Sequence, residues 1–197
     1  MKTVLHLAFV FSLLLPPAYA GAVAPDGTAP ADTPIEVSQN GAQLSVEGSL
    51  TTKAAPEVAW AVLTDYARFP EFVPGILKNR VLEEQGQVKT IEQRGEVVTG
   101  MFRLLYDGVM LIEEKPIDRL RILFISGPFK DVRGEWRFEH ARKPLRLVYR
   151  MNLDLLKSPF PAPLAPSIAK QQVRIWVDAF AREFGKETER RMKIEAK

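Results

Sequence analysis

Six strand-length runs separated by very short breaks constrain this chain more than any other feature. They are Ile76–Glu84, Val88–Val98, Phe102–Glu114, Arg119–Ser126, Lys130–His140 and Leu145–Leu156. Gly86, Gly100, Lys115-Pro116, Gly127-Pro128 and Lys143-Pro144 punctuate them. A parallel crossover needs a dozen or more residues, so breaks this short require antiparallel neighbours, and the runs form a meander.

Alternation then identifies the buried face. Leu145, Leu147, Tyr149, Met151, Leu153 and Leu155 share one side of the last run, against Arg146, Arg150, Asn152 and Asp154. In the run before it, Val132, Gly134, Trp136 and Phe138 point one way and Asp131, Arg133, Glu135, Arg137 and Glu139 the other. A sheet with one wet face and one aromatic face needs a cover. The spacing predicts it as a helix from about Ser167 to Ala196, with Ala169, Val173, Trp176, Val177, Phe180 and Phe184 on one stripe. Its charged end, Lys186 to Lys197, is expected to project past the core.

Upstream, Leu44, Val46 and Gly48 alternate towards a strand ending near Leu50. Pro56 opens a helix carrying Val58, Ala61 and Val62, and Pro70 and Pro74 bracket a second, very short one. The layout is α+β: a curved antiparallel sheet of about seven strands around a long C-terminal helix, with two short helices after strand 1. Such a layout leaves a hollow, and its inward set includes adaptable Met101, Met110 and Met151.

The first residues read as an address. Lys2, the apolar run Val4–Leu15 and Ala18-Tyr19-Ala20 have the order of a Sec-type signal peptide cleaved before Gly21, which predicts the periplasm. Residues 21–41, rich in Ala, Pro, Asp and Thr, are expected to form a flexible linker, and 42–197 one domain. The run is too short to span a bilayer, so no stable membrane span is expected.

Several functions are excluded by composition. The chain has no cysteine, which removes thiolate nucleophiles, disulfides and zinc knuckles. Its 27 basic and 24 acidic residues nearly balance, with no nucleic-acid arm. Outside the signal only His140 remains, so a multi-histidine metal site cannot be built. No dinucleotide or phosphate-binding glycine motif is present, and no cofactor is expected.

Two motifs carry a family resemblance. Asp65-Tyr66-Ala67-Arg68-Phe69-Pro70-Glu71-Phe72-Val73-Pro74-Gly75 resembles the short helix pair of the coenzyme Q-binding, START-like group, also called polyketide cyclase/dehydrase, of the SRPBCC superfamily. Gly127-Pro128-Phe129-Lys130-Asp131-Val132-Arg133-Gly134-Glu135-Trp136-Arg137-Phe138 resembles a hairpin of the same group. Val177-Asp178-Ala179-Phe180 in the last helix matches as well, and the resemblance covers about Ala42 to Gly185. It implies a helix-grip (START-like, Bet v 1-like) fold with an apolar tunnel between sheet and long helix, carrying a hydrophobic small molecule or lipid.

The expected lining is Phe102, Leu104, Tyr106, Met110, Ile122, Phe124, Trp136, Phe138, Tyr149, Met151, Val173, Trp176 and Phe180. Gln93, Tyr106, Ser126 and Tyr149 are the polar candidates to orient a cargo. The proline-dense stretch Ser158–Pro166 is either a rigid crossover or a lip at the tunnel mouth, with Phe160 and Leu164 meeting ligand or membrane. No catalytic residue is assigned. His140 ends its strand beside a turn, and paired carboxylates facing the hollow are not evident. The alternatives are an accessory factor that docks a periplasmic protein through its charged outer sheet face and, ranked below it, a cyclase or dehydratase.

Overall fold

The computed structural model describes residues 34–100, 102–140 and 143–196. The expected signal peptide, most of the expected linker and Met101 lie outside them.

Eight strands form one antiparallel sheet: β1 (Ile35–Asn40), β2 (Gln43–Thr52), β3 (Ile76–Gln85), β4 (Val88–Thr99), β5 (Phe102–Lys115), β6 (Arg119–Phe124), β7 (Arg133–Glu139) and β8 (Leu145–Asp154). Their spatial order is β1-β2-β8-β7-β6-β5-β4-β3. The helices are α1 (Pro56–Thr64), α2 (Phe69–Phe72), with a 3-10 turn at Tyr66–Arg68 before it, and α3 (Ala165–Glu195). No described helix is long and apolar enough to cross a membrane.

The count of about seven strands is corrected to eight, because Ile35–Asn40 falls inside the segment read as linker. Its cause lies on the neighbouring strand. Gly48 pairs with Ile35, and a Cβ on Gly48 would come within 2.7 Å of the isoleucine Cδ1 and 3.0 Å of Val173 on α3. The missing side chain makes room for Ile35, and Gly41 closes the hairpin at φ +58°.

A second correction concerns the run at Lys130. Asp131 takes a left-handed backbone, φ +73°, so the chain loops until Arg133 and only then enters β7. The loop stays tied to β6, since Asp131 N donates to Phe124 O at 2.8 Å and Phe124 N to Val132 O at 3.0 Å. Phe129 is thereby turned over the concave face, in edge contact with Tyr106 at 4.8 Å.

Topology explains the roof. β2 lies near one edge of the sheet and β3 forms the other edge, so the chain between them must span the whole trough. It does so as α1, the 3-10 turn and α2. Pro56 opens α1 where the missing N–H has no intrahelical partner in any case. Arg68 clasps this crossing to α3, its Nη2 donating to buried Glu183 Oε1 at 2.7 Å. At the far end Glu96 N donates to Gly75 O at 2.7 Å, and a Cβ on Gly75 would meet Glu96 O at 2.6 Å. Only glycine allows that approach at φ +85°. The roof is thus pinned at both ends.

Candidate functional site

Two adjoining cavities lie between the sheet and α3. The inner chamber offers the centre of a water-sized sphere about 60 Å³. Its floor is Met110 and Ile112 of β5, Leu120, Ile122 and Phe124 of β6, Gly134 and Trp136 of β7, and Tyr149 and Met151 of β8. Leu63, Tyr66, Phe69 and Val73 roof it from the crossing, Trp176 and Phe180 from α3. Phe180 is the hub of the frame, in edge contact with Trp136 at 5.2 Å, Phe69 at 5.3 Å and Phe72 at 5.4 Å. Edge-to-face rings of this kind fix one another's orientation, so the frame is stiff.

The outer cavity offers about 50 Å³ and is walled by Val97, Tyr106, Phe129 and Leu153, by Phe160 of the proline segment, and by Ala169 and Gln172 of α3. Phe124, Val132, Met151 and Trp176 line both cavities and form the partition. Lys130, Asp131, Asp154 and Lys157 surround the outer one, and Lys157 Nζ meets Asp131 Oδ2 at 3.0 Å. That hydrogen bond holds the Asp131 carboxyl below, and the Lys157 ammonium above, their ordinary ranges.

The inner wall carries no Asp, Glu, Lys, Arg or His. Its polar side chains are Tyr66, Gln93, Tyr149 and Trp176, and the first two are occupied. Tyr106 Oη donates to Gln93 Oε1 at 2.8 Å, and Gln93 Nε2 donates to Asn79 Oδ1 at 3.1 Å. Tyr66 contributes its ring, its hydroxyl donating to Glu114 Oε1 at 2.6 Å. Burial pushes the phenols of Tyr66, Tyr106 and Tyr149 above their usual range, with the Glu114 carboxylate adding to the rise at Tyr66. All three therefore stay neutral at physiological pH.

Of the expected lining, Met110, Ile122, Phe124, Trp136, Tyr149, Met151, Trp176 and Phe180 lie on the inner chamber. Tyr106 lies on the outer cavity only. Four expected residues line neither. Val173 is fully buried against Gly48 of β2, and Phe138 packs on Trp60 of α1 at 5.9 Å. Phe102 backs Phe160 at 5.8 Å, and Leu104 is packed against the core, half-buried, two residues from Tyr106. Gln93 reaches the chamber, whereas Ser126 instead accepts from Val109 N at 2.9 Å. Phe160 is buried in the outer wall, while Leu164 is exposed. His140 stacks on Phe138, its ring at 6.0 Å and 18°, and lines neither cavity. The roof residues Leu63, Tyr66, Phe69 and Val73 were not among those expected. No group of residues able to hold a metal ion occurs among the described residues.

Residues 52–181 match the family described as polyketide cyclase/dehydrase and lipid transport. The fold is shared with the Zhui aromatase/cyclase of a Streptomyces species, at TM-score 0.60 and 18% identity over 76% of this chain and 96% of that one. A STAR-related lipid transfer protein of Xanthomonas axonopodis matches at TM-score 0.59 and 15% identity, over 76% and 98%. A START superfamily protein of Mycobacterium smegmatis matches at TM-score 0.59 and 14% identity, over 72% and 97%. No curated protein matches the sequence significantly. These likenesses establish the START-like helix-grip fold and leave the chemistry to the site.

Proposed function

From the premise that this chain belongs to the polyketide cyclase/dehydrase and lipid transport family, we propose that it is a non-catalytic carrier of a hydrophobic or amphipathic small molecule. The observation that carries the reading is the charge-free, aromatic-rich chamber between the sheet, the crossing and α3. Ten buried methylene equivalents contribute about 8 kcal/mol before ordering costs, so apolar burial supplies a gross term of the size that micromolar binding requires, and ordering costs reduce it. Each cavity has room for only a few waters, at roughly 10–15 Å³ each on this measure. A cargo of lipid or isoprenoid size therefore spans both, and flexible Met151 in the partition is the side chain best suited to yield.

The preference for carriage over turnover rests on the acid–base inventory. The titratable groups of the inner wall are tyrosines kept neutral by burial, and a general acid or base works best with a pKa near the operating pH. Membership of the coenzyme Q-binding branch, from the two motifs, and export to the periplasm, from residues 1–20, belong to the same proposal.

Native mass spectrometry of the protein purified from the periplasm tests it, with solvent extraction of whatever is bound. The expected result is a discrete added mass that extracts as a lipid or quinone. A clean apo mass, with no thermal shift across a panel of lipids and quinones, overturns the reading.

A further inference from the structure

The inner chamber's unmet hydrogen bonds define the cargo more narrowly than its greasiness does. The Tyr149 hydroxyl, on a side chain only 4% exposed, neither donates nor accepts a hydrogen bond among the described residues. It lies over Gly134, where a Cβ would come within 2.9 Å of it. The Trp176 indole N–H, in the partition, is buried and has no partner either. The two rings meet edge-on at 5.9 Å. The neighbouring polar groups are already used, because Gln93 accepts from Tyr106 and donates to Asn79. What the chamber leaves open is thus donors, in a wall without charge.

Buried donors without partners are costly, and ligands that satisfy them are selected. An indole N–H can only donate. A carbonyl oxygen has two lone pairs and no proton, so it satisfies both donors and leaves nothing unpaired. An alcohol brings its own proton and leaves one of the three donors without an acceptor. Water is worse, since its two protons would face apolar walls. A carboxylate would be a buried charge in a wall that carries no cation, and Lys89, whose Nζ lies 5.8 Å from the centre of the Tyr66 ring, is already paired with Glu84 and Glu114.

We propose that the cargo is an uncharged, mainly apolar molecule bearing a carbonyl oxygen (a ketone, quinone or ester) that accepts from the Tyr149 hydroxyl and the Trp176 indole N–H. This rests on the carrier reading. The oxygen sits at the inner end of the partition, where the cargo passes from one cavity to the other. Parting of the partition uncovers the indole N–H as the chain of the cargo threads past Met151.

The test compares three probes of one shape: acetylnaphthalene, ethylnaphthalene and the naphthoate anion, titrated at neutral pH into the wild-type protein, Tyr149→Phe and Trp176→Phe. Tyr149→Phe keeps the ring and removes the donor, while Trp176→Phe removes the donor and also shortens the ring. The ketone is expected to bind roughly tenfold tighter than the hydrocarbon, and naphthoate far more weakly than either. Each variant should shrink the ketone preference several-fold, read as the ratio of ketone to hydrocarbon Kd within that variant, so that any change in cavity volume affects both probes alike. The chain has three tryptophans, so Trp176→Phe also assigns the Trp176 indole N–H resonance. That resonance should move downfield with the ketone and not with the hydrocarbon, a readout that a purely structural role for Trp176 would not produce. Equal binding of ketone and hydrocarbon, or naphthoate binding as well as the ketone, overturns the inference and leaves the carrier standing. Failure of all three probes, with a clean apo mass, overturns the carrier reading itself.

Discussion

The inner chamber and the outer cavity share four wall residues but are made from different kinds of chain. The inner one is floored by four paired strands and roofed by helices pinned at both ends, with the aromatic rings locking one another. The outer one borrows its wall from a left-handed loop and a proline segment, and carries an exposed ion pair. The contrast separates two tasks. A rigid, uncharged pocket discriminates among cargoes, because it cannot adjust to one that leaves a donor unmet or a charge unpaired. A wall of loops controls access, because loop backbone opens at lower cost than a paired strand.

Truncating one aromatic in each cavity gives the largest effect. Phe180→Ala removes the hub of the inner frame and should destabilise the fold by about 3–5 kcal/mol. Phe160→Ala removes a ring that touches Phe102 and Phe129 in the outer wall, where the irregular chain can settle into the gap. Its cost should be less than half as large. Urea unfolding midpoints at matched slopes measure both. Equal costs would mean that the outer wall is as rigid as the inner, and the division of tasks would lose its basis.

How far this division could be read from residues alone follows from what periodicity encodes. Alternation in β7 and β8 identifies which side chains face inward, because a strand's period of two admits only two answers. Parity assigns a side and not a position along the strand. Phe102 and Leu104 share Tyr106's face yet lie beyond the cavities, and Phe138 shares Trp136's face yet packs on α1. The stripe of α3 behaves the same way, with Val173 turned to β2 and Trp176, three residues on, turned to the chamber. Leu63, Tyr66, Phe69 and Val73, three of them inside the first family motif, were not expected on the lining, because helical spacing shows an apolar face without showing what it faces. That needed the sheet order, which makes the chain between β2 and β3 cross the trough. β1 was hidden for another reason: its one inward anchor, Ile35, fills a space defined by the absence of a side chain at Gly48. The Asn40-Gly41 turn was the available signal.

A smaller effect, confined to the inner chamber, comes from Gly134→Val. Valine suits a strand, but its Cβ would stand within 2.9 Å of the Tyr149 hydroxyl and 3.4 Å of Ile122 Cδ1. The expected cost is about 1–3 kcal/mol of stability from overpacking. Binding should suffer more than folding does, with an apolar probe such as ethylnaphthalene losing roughly tenfold or more in affinity while the circular dichroism spectrum stays native. Unchanged affinity would place the bound probe in the outer cavity and reverse the assignment of tasks.

The smallest effect is at the mouth and concerns rate rather than stability. Lys157 and Asp131 are both exposed, and an exposed pair of this kind adds little to folding, so Lys157→Ala should leave the thermal midpoint where it was. The pair does bridge the β6–β7 loop to the proline segment, the two irregular walls that must separate for cargo to pass. Its loss should therefore speed probe release several-fold at unchanged Kd, as read by stopped-flow displacement. The pH dependence has a definite sign. Asp131 is held below its ordinary value of 3.8, so the pair is intact above that value and is lost only as pH falls through the lower, folded-state value. Wild-type release should accordingly be flat between about pH 5 and pH 8, and Lys157→Ala should be faster by the same factor throughout that window. A difference that grew or vanished within it would assign the gating to another titrating group. No difference at all would mean that the mouth opens without parting these two walls.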